Sequence, residues 1–194
     1  MPKKVRVILV TDGDGVAQDV VEEIAQEMNL RCISASAGNP TPISGKEIVN
    51  LLKKTPYDPV LVMFDDKGLP EKGQGERALE YVANHPDIEV LGALAVASNT
   101  MDLDGATADF CIAKDGSLTD YAINKNGEKL KSCLDEGKTI VRGDTVDVLN
   151  DVEIPIVVGV GDIGKMKHKD DIRKGAPITK RAIEEILSRS GIKR

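Results

Sequence analysis

The chain has 194 residues, with 26 Lys+Arg against 32 Asp+Glu and a formal charge of −6. A chain of this length buries roughly 70% of its unfolded surface, enough for one domain over residues 1–194 without disulfide or structural metal. Three Tyr, two Phe and no Trp exclude a base-stacking platform for nucleic acid, and the longest apolar stretch, Val90–Ala97, is far below the ~18 residues of a membrane span.

Val5–Val10 is an apolar run rich in β-branched residues, closed by Thr11-Asp12-Gly13-Asp14-Gly15, and reads as a buried strand and its turn. Val16, Val20, Ile24 and Met28 then recur at helical spacing, with Glu22, Glu23, Gln26 and Glu27 on the outer face. Leu30–Ser34 reads as a second strand. After the loop Gly38–Pro42, Ser44 with Glu47 forms a capping box that opens a helix, and Pro56 closes the segment. Val60–Phe64 is a third buried strand running into Asp65-Asp66-Lys67-Gly68. The next helix starts near Gly75-Glu76 and stops at Pro86, and Ile88–Val96 is a fourth strand ending at Ala97-Ser98-Asn99-Thr100.

Strand and helix alternate with connections too long for hairpins. This predicts a three-layer, doubly wound α/β fold with a mostly parallel sheet, Rossmann-like or Toprim-like. From 101 to about 140 the pattern turns polar, with short segments at Phe110–Ile112 and Tyr121–Ile123 and turns at Asp115-Gly116 and Asn126-Gly127, a β-hairpin excursion. Ile154–Val160 returns as a strand, residues 165–178 form a polar loop, and Thr179 is expected to cap a last helix with Ala182, Ile183, Ile186 and Leu187 inward.

Ligands of open parallel sheets bind beyond the carboxyl ends of the strands. Asp12 and Asp14, Asp65 and Asp66, and Asp162 all stand there, and five converging carboxylates would take Mg²⁺ or Ca²⁺ or hold a proton. Against this stands their use as turn formers and helix caps. Gly159-Val160-Gly161-Asp162-Ile163-Gly164 spells a dinucleotide fingerprint, but it comes late and runs into Lys165-Met166-Lys167-His168 instead of opening a helix after the first strand. Its glycines still permit approach of an anion, with Lys165 as counter-charge. Gly75 at a helix start, Ser98 and Asn99 complete a candidate anion-binding set, Gly75, Ser98, Asn99, Gly161, Gly164 and Lys165.

No Ser/His/Asp or Cys/His arrangement is legible, so no catalytic residue is named. Cys32, Cys111 and Cys133 make no paired spacing and point to a reducing compartment. Residues 165–194 hold ten Lys+Arg and four acids, an excess of +6 that leaves −12 on the rest, since the whole chain is −6. Two readings stand for this segment, a solvated loop and a site for an anion or lipid headgroup.

The stretches Val7–Asp14, Arg31–Thr41, Lys54–Asp66, His85–Ala93, Val96–Thr100, Pro155–Met166 and Gly175–Thr179 resemble the soluble form of the stage V sporulation protein AE family of the SpoVA operon. The resemblance covers residues 5–100 and 139–190 and leaves out 101–138. It implies a sporulation and germination protein in the company of membrane proteins that move dipicolinic acid as its calcium chelate. The place implied is the forespore or spore cytoplasm, or the periphery of the spore inner membrane.

The partners implied are those membrane proteins, with a small anionic ligand and a homo-oligomer left open and no nucleic acid expected. A docking or ligand-sensing domain is the first reading. The alternative is a Mg²⁺-dependent phosphoryl-transfer or Toprim-like enzyme, weakened because the glutamate and Asp-x-Asp of Toprim sites are replaced here by Asp12-Gly13-Asp14 and Asp65-Asp66.

Overall fold

The structure, a computed structural model, describes residues 3–68, 71–99, 104–130, 134–135 and 138–192. Its elements are β1 (Val5–Val10), α1 (Gly15–Glu27), β2 (Arg31–Cys32), α2 (Gly45–Leu52), β3 (Val60–Met63), α3 (Gln74–Ala83), β4 (Ile88–Val96), β5 (Ala106–Ala108), β6 (Phe110–Ile112), β7 (Leu118–Thr119), β8 (Leu134–Asp135), β9 (Lys138–Val141), β10 (Val157–Val160) and α4 (Pro177–Arg189). Short 3-10 turns lie at Ser34–Ser36, Asp147–Asp151, Met166–His168 and Ile172–Lys174.

Period-two alternation builds the three layers. Along β1, Ile8 and Val10 face α1 and α4, where they meet Val20, Val21, Ile24, Ile183 and Ile186. Val7 and Leu9 face the opposite layer, where Ile48 and Leu52 of α2 and Leu79 and Val82 of α3 cover the sheet. With both faces covered, β1 is apolar from Val7 to Val10, as the buried part of a central parallel strand must be, while Arg6 near its start pairs with Asp58.

The sheet runs β2-β3-β1-β4-β10-β6-β7, and every pair is parallel except β6 with β7. Val10 pairs with both Met63 and Leu94, and Val160 pairs with Val96. The turns after β1, β3, β4 and β10 therefore share one rim. The chain leaves β1 toward the β2 edge, whereas it leaves β4 toward the β6 edge, so the strand order reverses between β1 and β4 and opens a crevice there.

The stretch expected as an excursion divides in two. β6 joins the central sheet as a parallel neighbour of β10, with β7 beside it across the Asp115-Gly116 turn. Only β5, β9 and β8 form a separate antiparallel sheet. The expected strand at Tyr121–Ile123 reduces to one bridge, Ile123 with Lys129, around the Asn126-Gly127 turn. The expected strand at Leu30–Ser34 shortens to two residues because Ser34–Ser36 coils into a 3-10 turn, where the Ser36 hydroxyl donates to the Ile33 carbonyl at 2.7 Å. Thr100, at the expected end of the turn after the fourth strand, and Cys133 lie outside the described residues.

Candidate functional site

Thr11 fastens the end of β1 to β4. Its N–H and its hydroxyl both donate to the Leu94 carbonyl at 3.1 Å, and its hydroxyl accepts from the Val96 N–H at 2.9 Å. Asp12 is thereby fixed in the floor of the crevice, 8% exposed. One of its oxygens accepts from the Asp14 N–H at 3.3 Å, and the other accepts no hydrogen bond from a described residue. Burial, reinforced by the neighbouring charges of Asp14, Asp65 and Asp162, pushes the Asp12 carboxyl up to about 8.

Asp14 occupies the cap position of α1 in extended conformation and accepts from the Ala17 N–H at 2.9 Å. Its second oxygen meets the Lys165 ammonium at 2.9 Å, and the same ammonium reaches Asp162 at 3.2 Å. Burial acts to raise the Asp14 carboxyl, but the Ala17 N–H and Lys165 outweigh it and hold Asp14 below the usual carboxylate range. At Asp162 burial wins over Lys165, and the carboxyl is raised. Asp12, Asp14 and Asp162 each offer one oxygen, and these three oxygens lie within 4.8 Å of one another.

The other two acids do not join them. Asp65 stands behind the β1 turn, accepting from the Gly13 N–H at 3.3 Å and from the Asp66 N–H at 2.8 Å. Burial raises it to about 6. Asp66, its immediate neighbour, turns to α3 and accepts from the N–H groups of Gly75 at 2.7 Å and Glu76 at 2.6 Å. The expected five-carboxylate cluster is therefore three at the centre, one brace and one helix cap.

The anion-binding set is corrected more heavily, because most of its donors are already engaged within the chain. The Gly75 N–H belongs to Asp66. A side chain at 75 would overlap the Asp65 carbonyl, so Gly75→Ala is expected to cost about 1–3 kcal/mol of stability by overpacking, read from urea unfolding. At Gly161 a Cβ would stand 2.7 Å from the Gly127 nitrogen and the Lys125 oxygen, so this glycine admits the 125–127 turn and not an anion.

Gly164 has a φ of 76°, packs on Val16 and Val20 of α1, and donates its N–H to Asp170 at 3.0 Å. Lys165 is held by two carboxylates. Ser98 donates its hydroxyl to Asp144 at 3.3 Å, and Asn99 is exposed at the edge of the rim. The fingerprint glycines thus serve backbone packing.

Two participants escape the sequence reading. The charge of Asp144 helps to raise both Asp65 and Asp66; nothing near Gly143-Asp144 marks it. Asp170, fully buried, caps α4 in place of the expected Thr179. It accepts from the Ile178 and Thr179 N–H groups at 2.8 and 3.0 Å and from the Thr179 hydroxyl at 2.5 Å. Its signal was the Pro177 that opens a helix with no Ser, Thr, Asp or Asn before it, at Ala176.

A family model described as stage V sporulation protein AE1 matches residues 6–190, a span that encloses the 101–138 stretch expected to fall outside the resemblance. No curated protein and no solved structure matches the chain. No helix among the described residues is long and apolar enough to cross a membrane.

Proposed function

The chain belongs to the stage V sporulation protein AE family, whose model covers nearly its whole length, and from that premise we propose that it is a non-enzymatic accessory domain that senses a divalent cation for the membrane complex moving calcium-dipicolinate. The observation that carries the reading is the meeting of three carboxylate oxygens, from Asp12, Asp14 and Asp162, within 4.8 Å. Hard oxygen donors of this kind suit Ca²⁺, which accepts six to eight oxygens and tolerates water among them, and can also serve Mg²⁺.

The chemistry of the set fits. Asp12 is buried and holds its proton to about 8, and a cation in the same place relieves the same repulsion. Lys165 supplies the only ammonium within 4.0 Å of Asp14 or Asp162 among the described residues, with the charge of Lys125 acting on Asp162 from farther off, and its side chain, 42% exposed, has room to swing out as the cation enters. A free carboxylate of dipicolinate on the bound Ca²⁺ would then meet that displaced ammonium.

Thermal and urea unfolding in Ca²⁺, Mg²⁺ and calcium-dipicolinate tests this. Ligand at about 100 times its Kd should add about 2.7 kcal/mol, and Asp12→Asn with Asp162→Asn should abolish the gain. Absence of any shift, or a shift unchanged in the double variant, rejects the cation site. Recovery of the membrane proteins by pull-down from sporulating cells supports the accessory role, whereas Mg²⁺-dependent phosphate-ester cleavage lost in Asp12→Asn would replace it with an enzyme.

A further inference from the structure

We infer that the segment 165–174, braced by the adjoining 114–129 hairpin, forms a face that docks on an anionic lipid surface. The segment sorts its charges by direction. Met166, Asp170 and Asp171 are buried, while Lys167, His168, Lys169, Ile172, Arg173 and Lys174 are exposed. Asp170 is consumed by α4, and Asp171 accepts from the backbone and side chain of Arg173. Five Lys and Arg against two Asp give residues 165–174 a local excess of +3 in a chain of net charge −6, and most of these bases stand on the outer side.

The backbone holds this face outward. Met166, Lys167 and His168 all have positive φ, at 45°, 52° and 66°, a left-handed turn that L residues resist. It is pinned by Met166, whose side chain lies against Gly127 and Gly161. Lys167 and Lys114 share Glu128 at 2.8 and 3.0 Å, joining the hairpin to the segment, and the Lys174 ammonium donates to the His168 carbonyl at 2.7 Å.

The occupant follows from what accompanies the charge. Ile172, 38% exposed, is an apolar side chain among the cations, which fits insertion at a headgroup–acyl boundary. Residues 165–174 carry no aromatic and the adjoining hairpin shows a single one, Tyr121, so there is no row of rings on which successive bases of a single-stranded nucleic acid would stack. Lys165, at the start of the segment, bridges Asp14 and Asp162 in the acidic crevice, but the exposed cations from Lys167 to Lys174 make no ion pair with those acids, and docking through them does not depend on a cation there.

Co-sedimentation of the full chain with phosphatidylglycerol vesicles, and with phosphatidylcholine vesicles as control, in EDTA and over a salt series, tests the assignment. Binding is expected on the anionic vesicles only, falling steeply with salt. At roughly fivefold per basic residue, Lys167→Glu/Lys169→Glu/Lys174→Glu should lose ~100-fold in affinity or more, and Ile172→Ser roughly tenfold. Lys169→Gln/Lys174→Gln, which leaves the Glu128 bridges in place, should lose a smaller but salt-sensitive part even if the triple variant folds poorly. Equal binding to both lipids, no binding to either, unchanged affinity in folded variants, or retention of single-stranded RNA in place of vesicles each overturns the proposal.

Discussion

Asp12→Asn is expected to stabilise the protein at pH 8 by about 2–4 kcal/mol and to flatten its stability between pH 5 and 8. The sign follows from the proton count. In the unfolded chain this carboxyl loses its proton near its ordinary value of 3.8, whereas in the folded chain burial and the facing acids hold the proton to about 8. Between those values the folded state binds more protons, so stability is fullest at the acid end of the window and is lost as pH rises toward 8.

Asp65, raised to about 6, adds a loss of the same sign over the lower half of that window. Asp14 and Asp58 are held below the ordinary range, Asp58 by the Arg6 guanidinium against the opposing effect of its own burial, and they lose their contribution when pH falls below about 4. The wild-type optimum should therefore stand near pH 4–5. Asparagine keeps an oxygen for the Asp14 N–H but carries no charge, so it removes the alkaline penalty. Urea midpoints across the pH series measure the effect, and a wild-type curve level from pH 5 to 8.5 contradicts it. Ca²⁺ should restore wild-type stability more at pH 8 than at pH 5, because at the lower pH it must displace a bound proton.

Local signals were strong where one element explains itself. β1 and β4 have the expected ends because each is an apolar run cut off by polar turn residues. The capping box forms as read, with the Glu47 side chain accepting from the Ser44 N–H at 2.8 Å. That Asp12, Asp14 and Asp162 stand on one rim was legible, since parallel strands end on one edge, but their meeting also needed β1 and β10 to flank β4, an order that the sequence pattern does not reveal. What was not legible depends on direction and on distant neighbours. Asp65 and Asp66 are adjacent in sequence, yet one braces the β1 turn and the other caps a helix nine residues on. Phe110–Ile112 is too short to reveal a parallel partner, and its place beside β10 is set by Val158 and Gly159. The fingerprint glycines repeat a phosphate-binding spacing for a different steric reason, the close approach of the 125–127 turn and of α1.

Asp170→Ala should be among the most damaging single changes outside the apolar core, at about 3–5 kcal/mol. α4 begins at Pro177 after Ala176 in left-handed conformation, so its own N-terminus provides no side-chain cap. Asp170 takes that role from seven residues upstream of Pro177, with one oxygen on the Ile178 and Thr179 N–H groups and the other on the Thr179 hydroxyl and the Gly164 N–H. Alanine would leave these buried donors without acceptors, and each buried orphan costs about 1–3 kcal/mol, partly relieved by water entering from the half-buried Gly164 side. Asparagine retains a single acceptor oxygen, so Asp170→Asn should cost about half as much. Because Gly164 directly precedes Lys165, the same substitution should loosen the Lys165 bridge to Asp14 and Asp162, and amide exchange should accelerate at Gly164, Ile178 and Thr179 together. A loss below 1 kcal/mol in the alanine variant, or faster exchange confined to α4, would mean that this carboxylate does not couple the helix to the rim.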